Sequence, residues 1–162
     1  MVAYFRMLAW YNRIANERLY EKCAALDRSE YLMERRGSFG SIQRLLNHLL
    51  LGDQIWMERF EGRGLQTPPL DTLLFDDFLD LRSARVQEDA RIERFFTAID
   101  DAFLSGSFAY VNNQGMRCVD PAPVAVGHFF NHQTHHRGQV HVMLSQTSIA
   151  PPALDMHRII NP

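Results

Sequence analysis

Four long stretches of this chain carry apolar residues at three- and four-residue steps, and short loops divide them. That spacing is the stripe of an amphipathic helix, not the alternation of a strand. The first stretch runs from about Val2 to Ala25, with Tyr4, Leu8, Tyr11, Ala15 and Leu19 on one face. Asn12 and Asn16 sit four apart beside that stripe, which is unusual for a buried edge. Gly37-Ser38-Phe39-Gly40-Ser41 is a break in which Ser38 can act as N-cap. The second stretch runs from there to about Phe60, marked by Ile42, Leu45, Leu46, Leu49, Asp53 and Trp56, with His48 in its middle. Glu61-Gly62-Arg63-Gly64 ends it, and Thr67-Pro68-Pro69 continues the loop. The third runs from about Thr72 to Ala102, apolar at both ends. Its middle (Arg82, Arg85, Glu88, Asp89) either is solvated or lines a site, and the solvated alternative is preferred. Residues 106–119 alternate around Asn112-Asn113-Gln114-Gly115 and predict a short β-hairpin lying on the helices. Asp120 then reads as an N-cap with Pro121 at the first helical position of a fourth stretch reaching about Gln146. Four long helices with short connections predict an all-α four-helix bundle, with the hairpin between its third and fourth helices.

The 162 residues amount to one domain, spanning 1–162, and can bury a core without disulfide staples. A formal net charge of -2 gives no global electrostatic case for nucleic acid or an anionic membrane as partner. No run of 18 apolar residues predicts a membrane span, and Met1–Arg6 lacks the layout of a signal peptide. Cys23 and Cys118 are far apart, no CxxC pair exists, and nothing in the sequence lowers either thiol's pKa, so both read as structural and the expected compartment is the cytoplasm.

Five of the seven histidines fall within fourteen residues, from His128 to His141. In a helix His128, His132 and His136 form one column, with His135 and Gln139 beside it. Two imidazoles four residues apart can reach one metal ion. Crowded histidines that bind nothing would repel when protonated or need separate partners when buried. On spacing alone a metal site and an ordinary helix surface weigh about equally. His48, isolated among leucines, is the natural third ligand if it points across at that column; otherwise it is a satisfied core histidine. Position 133 is Gln, so no HExxH is present. Neither the Glu-x-x-His of carboxylate di-iron bundles nor the signatures of zinc deaminases, serine hydrolases or nucleotide-binding loops occur.

Three stretches carry a family resemblance. They are Tyr11-Asn12-Arg13-Ile14-Ala15-Asn16-Glu17-Arg18-Leu19, Leu46-Asn47-His48-Leu49-Leu50-Leu51-Gly52-Asp53-Gln54-Ile55-Trp56, and Phe130-Asn131-His132-Gln133-Thr134-His135-His136-Arg137-Gly138-Gln139-Val140. In order, spacing and whole extent the chain resembles the DinB/YfiT-like family of metal-binding helical bundles, which is not the DNA polymerase sharing that name. The resemblance implies a four-helix bundle of unusual connectivity, often a homodimer, with a divalent metal held by His48, His132 and His136. Nickel or zinc is typical of the family. Three imidazoles alone do not choose among nickel, zinc, iron and copper. His128 and His135 then fall outside the ligand set. Asn131, Arg137 and Gln139 are placed to orient ligands or cap the pocket, Asn12 and Asn16 to face the same cavity. Arg137 reads equally well as a surface cation.

Characterised relatives in the wider superfamily are transferases or isomerases using a low-molecular-weight thiol. The resemblance therefore implies a small-molecule substrate, with metal-dependent thiol transfer or hydrolysis as the enzyme reading. Non-enzymatic metal sensing or sequestration, and a structural bundle that no longer binds metal, are the alternatives. Asp53 lies about 140° around the helix from His48 and reads as a solvated carboxylate or an arginine's partner rather than a base. Phe5, Trp10, Trp56, Phe60, Phe95, Phe96 and Phe129 read as core more than as an aromatic pocket. Arg35-Arg36 is too short a basic pair for nucleic acid.

Overall fold

The computed structural model describes residues 1–63 and 68–161. Gly64 and Thr67 of the expected loop lie outside them. Helix α1 (Val2–Ala24) is followed by a short α2 (Arg28–Leu32), then α3 (Ile42–Phe60), α4 (Phe78–Ala98), a short α5 (Asp101–Ser105), the strands β1 (Ser107–Val111) and β2 (Arg117–Pro121), α6 (Ala122–Leu144) and a short α7 (Met156–Ile160). The fold is mostly helical with one two-stranded antiparallel sheet. Helix α1 packs against α4 and α6, and α3 packs against the same two. No helix among the described residues is long and apolar enough to cross a membrane.

The helix starts are set by side-chain caps that differ in part from those expected. Ser41, not Ser38, accepts the N–H of Arg44 and opens α3. Asp77 accepts the N–H groups of Leu79 and Asp80, so α4 begins six residues later than Thr72. The intervening loop is tied to α3 by buried Asn47, which accepts from Phe75 N–H (2.9 Å) and donates to Phe75 O (3.1 Å). Extended backbone at Ile99 ends α4, and Asp100 caps the separate α5.

The hairpin forms where alternation placed it, with Tyr110 opposite Cys118 and Phe108 opposite Asp120. Asn112 Oδ1 accepts from Gln114 and Met116 N–H, and Gly115 takes φ +76°, which a side chain would resist. Phe108 and Tyr110 face the helices. Asp120 and Pro121 correct the expectation: both belong to β2. Asp120 accepts from the Tyr110 hydroxyl at 2.6 Å instead of capping α6, which starts at Ala122 without a side-chain cap.

The core has two large apolar bodies and a small third, Tyr11, Ala15 and Ile159, where α7 packs on α1. One large body is aromatic, built on Phe5, Trp56, Phe60, Phe96, Phe129 and Phe130. The other is aliphatic, built on Leu19, Leu45, Leu46, Leu49, Leu81 and Leu144. Five of the seven aromatics expected in the core are buried; Phe95 packs on them partly buried, and Trp10 is 37% exposed. Tyr4, expected on the buried stripe of α1, is 54% exposed. Cys23 is buried, which pushes its thiol up to about 12. Arg35, in the loop between α2 and α3, is buried and ion-paired to Glu30.

Between the two large apolar bodies every long helix contributes buried polar groups: Asn12 and Asn16 from α1, Asp53 from α3, Arg85 and Asp89 from α4, Gln133 and Arg137 from α6. The solvated middle expected for α4 is therefore corrected at Arg85, Glu88 and Asp89, all buried. They follow Leu81 and precede Ile92 and Phe96 on the same helical stripe, so the helix cannot turn them outward without exposing its apolar face.

Candidate metal centre

His48 lies two turns into α3, among the leucines of the aliphatic body, on the face turned toward α6. His132 and His136 are one turn apart on α6. The three imidazoles meet with ring centroids 5.3 Å (His48–His132), 4.6 Å (His48–His136) and 4.4 Å (His132–His136) apart. One nitrogen of each lies within 4.8 Å of those of the other two. His128 and His135 stay outside this group of three. His128 is exposed and packs on Trp56. His135 accepts from Gln139 Nε2 at 3.0 Å.

Each ring is held by something the fold supplies. His48 Nδ1 donates to Leu70 O at 2.9 Å, because a carbonyl can only accept, and Phe39 stacks on the same ring at 3.9 Å. His136 Nδ1 donates to Gln139 Oε1 at 2.9 Å. Both rings thus keep Nε2 as a lone pair, the tautomer that such outer hydrogen bonds select in metal sites. His132 fits because Gly52, one turn beyond His48, has no side chain: a Cβ there would lie 2.8 Å from His132 Cε1. Gly52, Phe39 and Leu70 were not singled out as parts of the site. Gly52 carried a signal, its i+4 spacing from His48; the two loop residues carried none.

Burial disfavours the charged form of all three rings. It lowers His48 against the opposing hydrogen bond to Leu70, and lowers His136 against that to Gln139. His132 falls to about 3, through burial first and then repulsion from His136, His48, His128 and His135. At neutral pH the trio is uncharged and offers lone pairs. That donor set suits a borderline divalent cation, and three protein ligands leave a coordination position open.

A cavity of about 400 Å³ opens on His48 and His132. Trp56 and Arg59 of α3, Tyr110 of β1, the hairpin turn Asn112–Gln114 and His128 are among its other walls. No carboxylate lines it among the described residues.

The other expected participants are elsewhere. Asp53 is fully buried and accepts from Arg85 Nη1 at 2.6 Å, so it is an arginine's partner and not a solvated carboxylate. Burial raises its pKa to about 7 against the pull of Arg85. Asp89 Oδ1 accepts from Asn16 Nδ2 (2.9 Å) and lies 2.9 Å from Arg85 Nη2, close enough for attraction but off line for a hydrogen bond. Arg137 is 3% exposed, not a surface cation; it donates to Asn12, Asn16 and Gln133. Asn12, Asn16 and Arg137 therefore serve the buried polar layer and do not line the histidine cavity. Asn131 is exposed, and of the three helpers expected on α6 Gln139 holds a ring of the trio.

Protein DinB of Bacillus subtilis (strain 168) is 27% identical over 161 residues, covering 90% of this chain and 87% of that protein. The family profile described as DinB family matches residues 1–162, and the chain belongs to the DinB family.

Proposed function

We propose that His48, His132 and His136 hold one divalent cation, nickel or zinc in first place and iron after them. In this proposal the four long helices form a bundle of the DinB/YfiT type, working as a homodimer in the cytoplasm on a small molecule. The observation that carries it is the trio itself: three neutral imidazoles converging from two helices beside a cavity that no carboxylate lines among the described residues. A divalent cation bound there would lower the pKa of a thiol or water and so supply a nucleophile near pH 7. The chain's own residues do the rest. Leu70 and Gln139 fix the tautomers of His48 and His136. Phe39 stacks on His48, and Trp56 and Tyr110 wall the cavity. The favoured activity is transfer of a low-molecular-weight thiol to an electrophile, with hydrolysis as its variant.

Non-enzymatic metal binding is the second reading. It is favoured because no carboxylate among the described residues lines the cavity to act as general base, and Asp53 is committed to Arg85. Protein purified without a nickel resin and analysed by plasma mass spectrometry is expected to carry about one cation per chain. Each of His48→Ala, His132→Ala and His136→Ala is expected to lose it while staying folded. Absence of metal after reconstitution would sink both readings. Stoichiometric metal without turnover of any thiol and electrophile pair would leave the second.

A further inference from the structure

A second cavity, of about 450 Å³, lies between α6 and the segment Pro152–Asp155. Among the described residues none lines both this cavity and the one beside the histidines. Side chains of α1 and α6 hold the segment in place. The Tyr11 hydroxyl donates to Leu154 O at 2.8 Å, Arg18 Nη1 to Ala153 O at 3.1 Å and His141 Nε2 to Pro152 O at 3.2 Å, since a carbonyl can only accept. On the helix side Thr134, Gly138 and His141 fall at i, i+4 and i+7, one face of α6. Gly138 is exposed, and a Cβ there would meet no atom within 4 Å. A glycine inside a helix weakens it, and no neighbour among the described residues requires one here.

Arg137, only 3% exposed, lines this cavity. Its Nη1 donates to Asn12 Oδ1, to Asn16 Oδ1 at 3.2 Å and to Gln133 Oε1 at 3.4 Å, all neutral acceptors. Nε and Nη2 have no partner among the described residues. They are not among the side-chain atoms buried without one, so this edge of the guanidinium reaches the accessible surface. Burial disfavours its charge, and the acids that act on it, Asp53 and Asp89, are both engaged by Arg85. Among the described residues the acid lining the cavity is Asp155, which is exposed and forms no ion pair with Arg137.

We propose that the Nε and Nη2 edge of Arg137 receives the carboxylate of a small molecule whose apolar body lies over Gly138, between Tyr11 and Leu154. Two parallel N–H groups match a carboxylate in two-point contact. The cavity has the size of a small-molecule pocket, and Tyr11, Pro152 and Leu154 give it apolar walls. The site does not rest on the metal reading.

Proton–nitrogen correlation NMR tests it, read at the Gly138 amide and the Arg137 Nε–H. Benzoate is expected to move both signals saturably, and benzamide, alike in shape but uncharged, to move neither. Gly138→Leu fills the groove and leaves the partners of Arg137 in place. It is expected to raise Tm, because leucine favours a helix over glycine, and to abolish the benzoate response at the Arg137 Nε–H. Arg137→Lys keeps the charge without the paired N–H groups and is expected to weaken benzoate about tenfold. No saturable response to benzoate, an equal response to benzamide, or a response undiminished in Gly138→Leu overturns the proposal. Saturation by inorganic phosphate with none by benzoate overturns the carboxylate assignment.

Discussion

Two polar clusters occupy the middle level of this protein, and α3 and α6 contribute to both. The inner one, Asn12, Asn16, Asp53, Arg85, Asp89, Gln133 and Arg137, is buried between the two large apolar bodies and pairs charge with charge. The outer one, His48, His132 and His136, is kept uncharged, stands beside a cavity and has nitrogen lone pairs with no protein partner at His48 and His136 Nε2 among the described residues. The inner cluster also has side-chain atoms without a hydrogen-bond partner among the described residues, at Asn12 Nδ2, Asp53 Oδ1, Arg85 Nε and Nη2 and Gln133 Nε2, but all of them are buried. Unspent donors or acceptors beside an opening are what binding requires.

If the inner cluster is structural, cutting it should do the greatest damage. Arg85→Ala leaves Asp53 and Asp89 buried without their cation and is expected to cost about 3–5 kcal/mol, measured by urea unfolding. His132→Ala in metal-free protein should cost far less. Equal losses would erase the distinction between the clusters.

Metal should stabilise the outer cluster alone. Free cation at a hundred times its Kd is expected to add about 2.7 kcal/mol of stability, seen as a rise in Tm that a chelator reverses. Gly52→Ala should remove most of that rise while the fold persists, because its Cβ would collide with His132. An undiminished rise in that variant would show that His132 moves freely.

The pH response sharpens the contrast further. Folding lowers the pKa of His132 from 6.5 to about 3. Its contribution is therefore present above pH 6.5 and is lost as pH falls toward 3, where the unfolded chain takes up the proton first. The stability of metal-free wild type minus that of His132→Gln should be flat above pH 7. By pH 5 it should have fallen by about 2 kcal/mol, followed by chemical denaturation in a pH series. A difference that rises toward acid would mean the ring is charged in the folded protein.

The smallest effect concerns orientation. Gln139→Leu removes the acceptor on His136 Nδ1 and is expected to weaken metal binding about tenfold, by competition with a chromophoric chelator. His136→Ala should abolish binding.

Helix periodicity made much of this legible. The column His128–His132–His136 follows from four-residue spacing, and His48 was conspicuous as the one imidazole in a leucine run. The hairpin was readable from alternation around Asn112–Gly115. The inner cluster was misread because Arg85, Glu88 and Asp89 look like a solvated face when α4 is taken alone. The stripe Leu81, Arg85, Glu88, Ile92, Phe96 would have corrected that, as would Asn12 and Asn16 on α1, which supply partners at the same level. Phe39, Leu70 and Tyr110 reach the site from loops and a strand, where no period connects them to the histidines. The cap that opens α6 failed as an expectation because the Tyr110 hydroxyl competes successfully for Asp120.

Gln133 and Arg137 follow His132 and His136 by a single residue, so α6 presents imidazoles to one neighbour and amide and guanidinium to another, about 100° apart. Losing one residue between Ala125 and His132 would send Arg137 to the cavity side, and gaining one would turn His132 and His136 into the buried layer. Over geological time that segment should tolerate changes of letter but not of length. The Asn112–Gly115 turn, anchored only at its ends, is where lineages are free to lengthen the chain and alter what enters.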